Sequence, residues 1–503
     1  MRLTFGKILC AVALAAMTFS CTDKQDNPIN PQPPEESTQQ ELTEDFEDFA
    51  SWITDAVKRC HPYINTFWGA EADPANFNLL LTDEDLDKLY FIDTTGKREV
   101  PKGEWTSELQ RGLQEVNSAD YYFLTFQDRH CCLQVFSPKV WKEQQATREL
   151  VFGKPFTLQD YAYDILSTFY HESFHTYVQK LNGWVDHEPA SSRDQTFPVA
   201  YEPRLCRKLA FLALIKAWQE PEHAAEQYAR AQYWTQKYKA QFAKEAQSIK
   251  ATDIFEGTAE YFGRSIVNAV FPDYQLLHGT SDLELSNSVE HESYQLSIAL
   301  QLIRRDNRLQ EAVEIFKDMT TTPLDFLLSG VTAPADYDES QDADDLAKVR
   351  TEMDKFYSES NPFMAPVVHL VNQHASGKVV YLVVKNTDRE VYTSSQGNYS
   401  LTDFPGFACV VNLQGVFDKV EYTGATLLRW SDFFCLPLSD AGHLQLSAMK
   451  EIPEMKADFS DVTFTREATL SGVSDDEPAV LRVLPARVMY GTDKLGNEYY
   501  VCQ

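Results

Sequence analysis

The chain has 503 residues, with 75 Asp and Glu against 45 Lys and Arg, for a formal charge of −30. A surface this acidic repels DNA, RNA and anionic lipid, which argues against a nucleic-acid partner. The roughly 460 residues beyond position 41 suggest two or three domains, and no internal repeat is visible.

At the N-terminus, Arg2 and Lys7 precede an apolar run from Ile8 to Phe19 that is too short to cross a bilayer and ends in Thr18-Phe19-Ser20-Cys21. This segment resembles a bacterial lipoprotein signal peptide. The resemblance implies that residues 1–20 are removed, that Cys21 carries a lipid, and that the protein is exported and anchored to the cell envelope, at the outer membrane with its bulk facing outward. A soluble exported protein is the alternative. Loss of Arg2 and Lys7 takes the formal charge from −30 to −32. Residues 21–41 are rich in Asp, Asn, Pro, Gln and Glu, a composition that buries no core and is expected to form a flexible tether. No later stretch reaches the ~18 apolar residues of a membrane span, so the lipid is the only expected membrane contact.

Leu42, Phe46, Phe49, Ile53 and Val57 recur at helical spacing and predict an amphipathic first helix. Short strands are expected at Phe77 to Leu81, Leu89 to Ile92, Tyr121 to Phe126 and Leu133 to Phe136. If Tyr121 to Phe126 lies at a sheet edge it offers a place for a peptide to dock as an added strand; an ordinary core strand fits its composition equally well. Beyond Cys10 and Cys21 the cysteines are Cys60, Cys131, Cys132, Cys206, Cys409, Cys435 and Cys502. Their odd number and lack of zinc-finger spacing leave at least one thiol unpaired within the chain. Cys131 and Cys132 are expected to be one buried and one exposed, not a strained vicinal bridge.

From Tyr161 to Leu181 apolar residues recur at helical spacing without Pro or Gly, and Thr157 with Asp160 forms a capping-box pattern. Within this helix lies His171-Glu172-Ser173-Phe174-His175, an H-E-x-x-H pattern. Imidazoles four residues apart share one helical face, so both can reach one zinc ion, with Glu172 directed at the water such an ion holds. Two histidines leave a catalytic zinc short of its usual three protein ligands. Downstream, Ile254, Phe255, Ala259, Phe262, Ile266 and Val270 make a second helical stripe, with Glu256 and Glu260 four apart beside it. Gly257, Ala259 and Gly263 leave little side-chain bulk, so this helix can approach the first closely. Two acids beside an apolar stripe are costly to bury unless paired or metal-bound. Asp194, His187 and Glu188 compete as the third ligand, although 189–198 reads as a turn-rich loop.

These two segments resemble the gluzincin metallopeptidases, in which H-E-x-x-H and a glutamate on a later helix hold zinc. Glu256-Gly257-Thr258-Ala259-Glu260-Tyr261 fits one variant of that later motif. The resemblance implies that Glu256 is the third ligand and that Glu260 orients a histidine through its second ring nitrogen. It also implies Glu172 as general base for hydrolysis of peptide bonds, and Tyr294 or His291, on a helix expected over Val289 to Leu300, as donor to the oxyanion. The metzincin pattern is excluded, since Val178 stands where its glycine belongs and no third histidine follows. One departure from the gluzincin pattern is the interval of 80 residues between His175 and Glu256, which reads as helices at Tyr201 to Trp218 and Glu222 to Lys250.

Helical patterns continue to Tyr357. After Ser376 the character changes to short strands at Val379 to Val384, Phe407 to Val411, Val420 to Tyr422, Leu427 to Trp430, His443 to Leu446, Val462 to Thr465, Leu481 to Leu484 and Tyr499 to Val501. The chain is therefore expected to be an α+β protein: a mainly helical zincin-like domain over 42–370 with a small N-terminal sheet, then a β-rich module over 371–503, in the manner of a sandwich. The expected function is zinc-dependent cleavage of an extracellular peptide or protein. The alternative is an inactive zincin scaffold that binds a glycan or protein, against which the intact Glu172 speaks.

Overall fold

The apolar spacing at the N-terminus produces α1 (Phe46–Cys60), which buries Phe49, Ala50, Ile53 and Val57 and is capped by the Asp45 carboxylate accepting from the Glu47 and Asp48 amides. The computed structural model describes residues 42–502 apart from 117–120, 153–154, 185–194, 277–288, 362–363, 386–396, 418–419, 432, 438–444, 448–462, 472–481 and 484–485. The fold is α+β. It divides into two compact units, one running to Ser191 and from Cys206 to Asp338, the other comprising Ser192–Leu205 and Glu339–Gln503.

In the first unit, β1 (Asn78–Asp83), β2 (Leu89–Asp93), β3 (Gly96–Glu99), β4 (Tyr121–Phe126) and β5 (Arg129–Phe136) form one sheet in the order β3-β2-β1-β5-β4, with β1 parallel to β5 and the other pairs antiparallel. Strand β4 is thus an edge strand. One face, including Leu79, Leu81, Ile92 and Cys132, belongs to the main core with α1 and the histidine helix (Leu158–Phe174). The opposite face, including Leu80, Phe91, Cys131 and Leu133, is covered by Leu109 and Leu113 of the helix Ser107–Glu115. Because adjacent residues of a strand face opposite ways, Cys131 and Cys132 enter different cores, and both are buried. This corrects the expectation of one exposed thiol. Cys60, Cys206, Cys409 and Cys435 are also buried; the Cys502 side chain lies outside the described residues.

The histidine helix opens on the expected capping box, with the Asp160 amide donating to Thr157 Oγ1 and the Thr157 amide to Asp160 Oδ2. Beyond Phe174 it widens into one π-turn, His175–Lys180. The glutamate helix (Lys250–Val270) buries almost every residue from Thr252 to Val270. It lies so close to the histidine helix that a Cβ at Gly263 would stand 2.8 Å from Ser167 O and 3.3 Å from His171 Cβ. The interval between the two comprises Tyr201–Gln219, Ala224–Gln241 and Ala243–Ser248. The single helix expected over Val289 to Leu300 is instead two, Val289–Tyr294 and Ser297–Arg305. At the break the Leu296 amide bonds to Ser293 O at 2.9 Å in a tighter turn. A Cβ at Gly257 would stand 2.9 Å from Leu296 Cβ and 3.2 Å from Ser293 O, so the bare backbone of the glutamate helix receives this turn.

The second unit carries the helices Ala343–Phe356 and Ala365–Ala375 and a mixed sheet of eleven strands. The expected boundary at 370 falls inside this unit. The ladder runs from Gln445–Ser447 through Thr463–Ser471, Ala486–Thr492, Glu498–Cys502, Val380–Lys385, Phe433–Pro437, Val420–Trp430, Phe407–Phe417 and Gly397–Leu401 to Gln195–Phe197. Arg482–Val483 pairs alongside Val420–Trp430. Two strands expected at Val420 to Tyr422 and Leu427 to Trp430 are one, joined through register shifts between Thr423 and Leu427. The three residues Gln195–Phe197, expected to be loop, pair in parallel with Gly397–Leu401, each with a partner 204 residues away in sequence. No described helix is long and apolar enough to cross a membrane.

Candidate metal centre

The four-residue spacing of the histidine helix places the His171 and His175 Nε2 atoms 3.0 Å apart. Glu256 Oε2 lies 3.3 Å from the first and 3.2 Å from the second. All three side chains are buried. A tetrahedral ion with N and O ligands at ~2.0–2.1 Å has ligand-to-ligand edges of roughly 3.3–3.4 Å. The donor triangle therefore has nearly the size of one face of such a site. His171, Glu172 and His175 also each offer a donor atom within 4.8 Å of the others, a buried group that could hold a metal ion.

The far side of each ring decides which nitrogen faces the centre. His171 Nδ1 is 3.1 Å from Glu260 Oε2, and Glu260 accepts a hydrogen bond from Arg264 through its other oxygen. His175 Nδ1 is 2.6 Å from Gln179 Oε1. The Gln179 amide nitrogen donates to Phe255 O at 2.9 Å and Thr258 Oγ1 at 2.8 Å, which obliges its oxygen to accept from the imidazole. Both rings thus donate from Nδ1 and turn Nε2 toward Glu256, the arrangement that metal ligation by histidine requires.

The charges of the cluster depend on one another. Burial pushes the His171 imidazole down, but its bonds to Glu256 and Glu260 outweigh this and hold it well above the ordinary value. Burial pushes the Glu256 carboxyl up, and the two histidines outweigh that, bringing it down to about 2. Glu172 is raised: desolvation is the largest influence and is only partly offset by His171, His175 and a hydrogen bond from Tyr121. A carboxylate raised from its usual range suits a general base.

Partly exposed aromatic rings touch each member of the motif. Tyr121, at the start of edge strand β4 and 38% exposed, bonds to Glu172. Phe255 stacks on His175 with 4.2 Å between centroids and 7° between planes. Tyr294 meets His171 at 5.3 Å and 83°.

The structure thus brings together His171, Glu172, His175, Glu256, Glu260 and Tyr294. Asp194, His187, Glu188 and Cys21 lie outside the described residues, as does the side chain of His291. Gln179 and Arg264 were not named from sequence, and Tyr121 and Phe255 were placed only in a strand and in an apolar stripe, not at the centre. Gln179 follows His175 by four residues and Arg264 follows Glu260 by four, so helical spacing alone put each on the right face. Tyr121 has no such signal, because its contact with Glu172 crosses from sheet to helix. Comparison with protein families, with characterised proteins and with solved structures returns no match for this chain, and the chemistry of the centre rests on the residues described above.

Proposed function

We propose that this protein is a zinc-dependent peptidase of gluzincin type, exported and held at the outer surface of the cell envelope by a lipid on Cys21. The observation that carries the proposal is the triangle of His171 Nε2, His175 Nε2 and Glu256 Oε2, with edges of 3.0–3.3 Å, beside a glutamate of raised pKa. Two imidazoles and one carboxylate are the donor set of a catalytic zinc that keeps a position open. His171, His175 and Glu256 would hold the zinc, which would supply Lewis acidity toward a carbonyl and toward a water whose pKa it would lower to ~7. Glu172 takes the proton of the attacking water as the new C–O bond forms and delivers it to the amide nitrogen as the C–N bond breaks. Tyr294, against His171, is the donor to the oxyanion. An extended peptide or protein segment pairs with edge strand β4, whose first residue Tyr121 reaches Glu172.

The test compares zinc content and cleavage of a peptide library. Glu172→Gln should retain one zinc per chain and lose about 10²–10⁴ in turnover, the usual contribution of general acid–base catalysis. His175→Ala should lose the metal. Wild-type turnover in Glu172→Gln refutes the mechanism, and equal zinc in His175→Ala refutes the site. Membrane association of Cys21→Ser after export would refute the anchor.

A further inference from the structure

We propose that Arg207, contributed by the helical interval between His175 and Glu256, is a positioning residue that holds Tyr294 against the metal centre. The importance of Tyr294 rests on the peptidase reading above; its placement by Arg207 does not. Arg207 lies on Tyr201–Gln219 with its side chain 5% exposed. Its guanidinium grips Asp253 with two bonds, Nη1 to Oδ2 at 3.0 Å and Nη2 to Oδ1 at 2.8 Å. Its Nε is ion-paired with Glu292 Oε2 at 2.9 Å, and Glu292 is itself only 1% exposed. The rings of Phe211 and Tyr238 each lie 5.4 Å from the guanidinium carbon.

The two carboxylates belong to the two helices that matter most. Asp253 lies one turn before Glu256 on the glutamate helix, and Glu292 lies two residues before Tyr294. Ser293 completes the link by donating to Asp253 Oδ1 at 2.7 Å. One planar cation therefore sets the helix carrying Tyr294 relative to the helix carrying the third ligand. The segment Val289–Tyr294 has only six residues and ends in the tight turn at Leu296, so it is too short to hold its own conformation. Buried ion pairs add little net stability compared with apolar packing. What the fork supplies is orientation, since a bidentate guanidinium fixes direction as well as distance. The long interval in the chain thereby acquires a purpose at the site.

Arg207→Lys keeps the charge and removes the fork, and a cavity of about 230 Å³ bordering Arg207 leaves room for the ammonium. Zinc affinity, amide exchange, and kcat and KM for a cleaved peptide would be measured in the full chain, with and without Tyr294→Phe. The expected results are zinc affinity within about twofold of wild type, exchange at 292–296 faster by about tenfold with the histidine helix unchanged, and kcat lower by about tenfold at constant KM. In the Tyr294→Phe background Arg207→Lys should cost less than about twofold, because it acts through that tyrosine. Equal losses in both backgrounds, or exchange raised throughout both site helices, would overturn the proposal in favour of general stabilisation. If the wild type cleaves no peptide, the peptidase reading fails separately, and exchange at 292–296 alone decides the placement: local loosening supports it and no change overturns it. Should Arg207→Lys not fold, Glu292→Gln removes one ion pair at nearly constant volume and takes the same measurements.

Discussion

His171 and His175 sit one turn apart on the same helix, yet their outer nitrogens are held by different chemistry. His171 leans on Glu260, a buried carboxylate that is itself bound by buried Arg264. His175 leans on Gln179, a neutral amide whose hydrogen-bond direction is set by Phe255 O and Thr258 Oγ1. The charged support makes its ring more basic, while the neutral support orients its ring without adding charge. The same tautomer is obtained on both sides, but the energetic consequences of losing each support should differ.

The larger break is on the His171 side. Glu260→Ala leaves Arg264 buried without its carboxylate, a loss of about 3–5 kcal/mol in stability for a broken buried pair. Zinc affinity should fall about 100-fold, the upper end for an outer partner. Denaturant unfolding and metal competition would measure both, and wild-type values would show that Glu260 is dispensable. Gln179→Leu should do less: about tenfold in zinc affinity and about 1–3 kcal/mol in stability, since only neutral hydrogen bonds are lost. A loss as large as that of Glu260→Ala would erase the distinction between the two supports.

Acidity sharpens the contrast without mutation. His171 is held above its unfolded value of about 6.5, so its pairing stabilises the metal-free protein below that pH and the contribution is lost as pH rises through the raised folded value. An ion must displace that proton. Zinc affinity should therefore rise about tenfold per pH unit until His171 deprotonates by itself, about 1.4 kcal/mol per unit. Calorimetry in two buffers should find close to one proton released at neutral pH, and none released would refute the raised basicity of His171. In Glu260→Ala the slope should shift to lower pH, whereas in Gln179→Leu it should stay.

Much of the centre was legible in the order of residues because its parts are local. His171, Glu172 and His175 lie within two helical turns, as do Glu256 and Glu260, and a 3.6-residue period converts such spacings into shared faces. Gly263 was legible as a place of close approach because a missing side chain is visible in sequence. Tyr121 and Arg207 were not, since each reaches the site across a strand or helix whose neighbours no periodicity names. The same limit explains Gln195–Phe197, which took its strand conformation from a distant partner, and the broken helix after Tyr294, whose turn follows the surface offered by Gly257.

Most of the helices, the cap at Thr157 and the chemical kinds of the donors could be read from the order of residues, because they depend on interactions within a few positions. Which donors meet, through which nitrogen each histidine faces the centre, and that a buried arginine from the interval joins the two helices behind it came from packing in three dimensions. Those outcomes depend on packing between segments far apart in the chain, where burial makes each unpaired polar group costly and so selects one mutual arrangement.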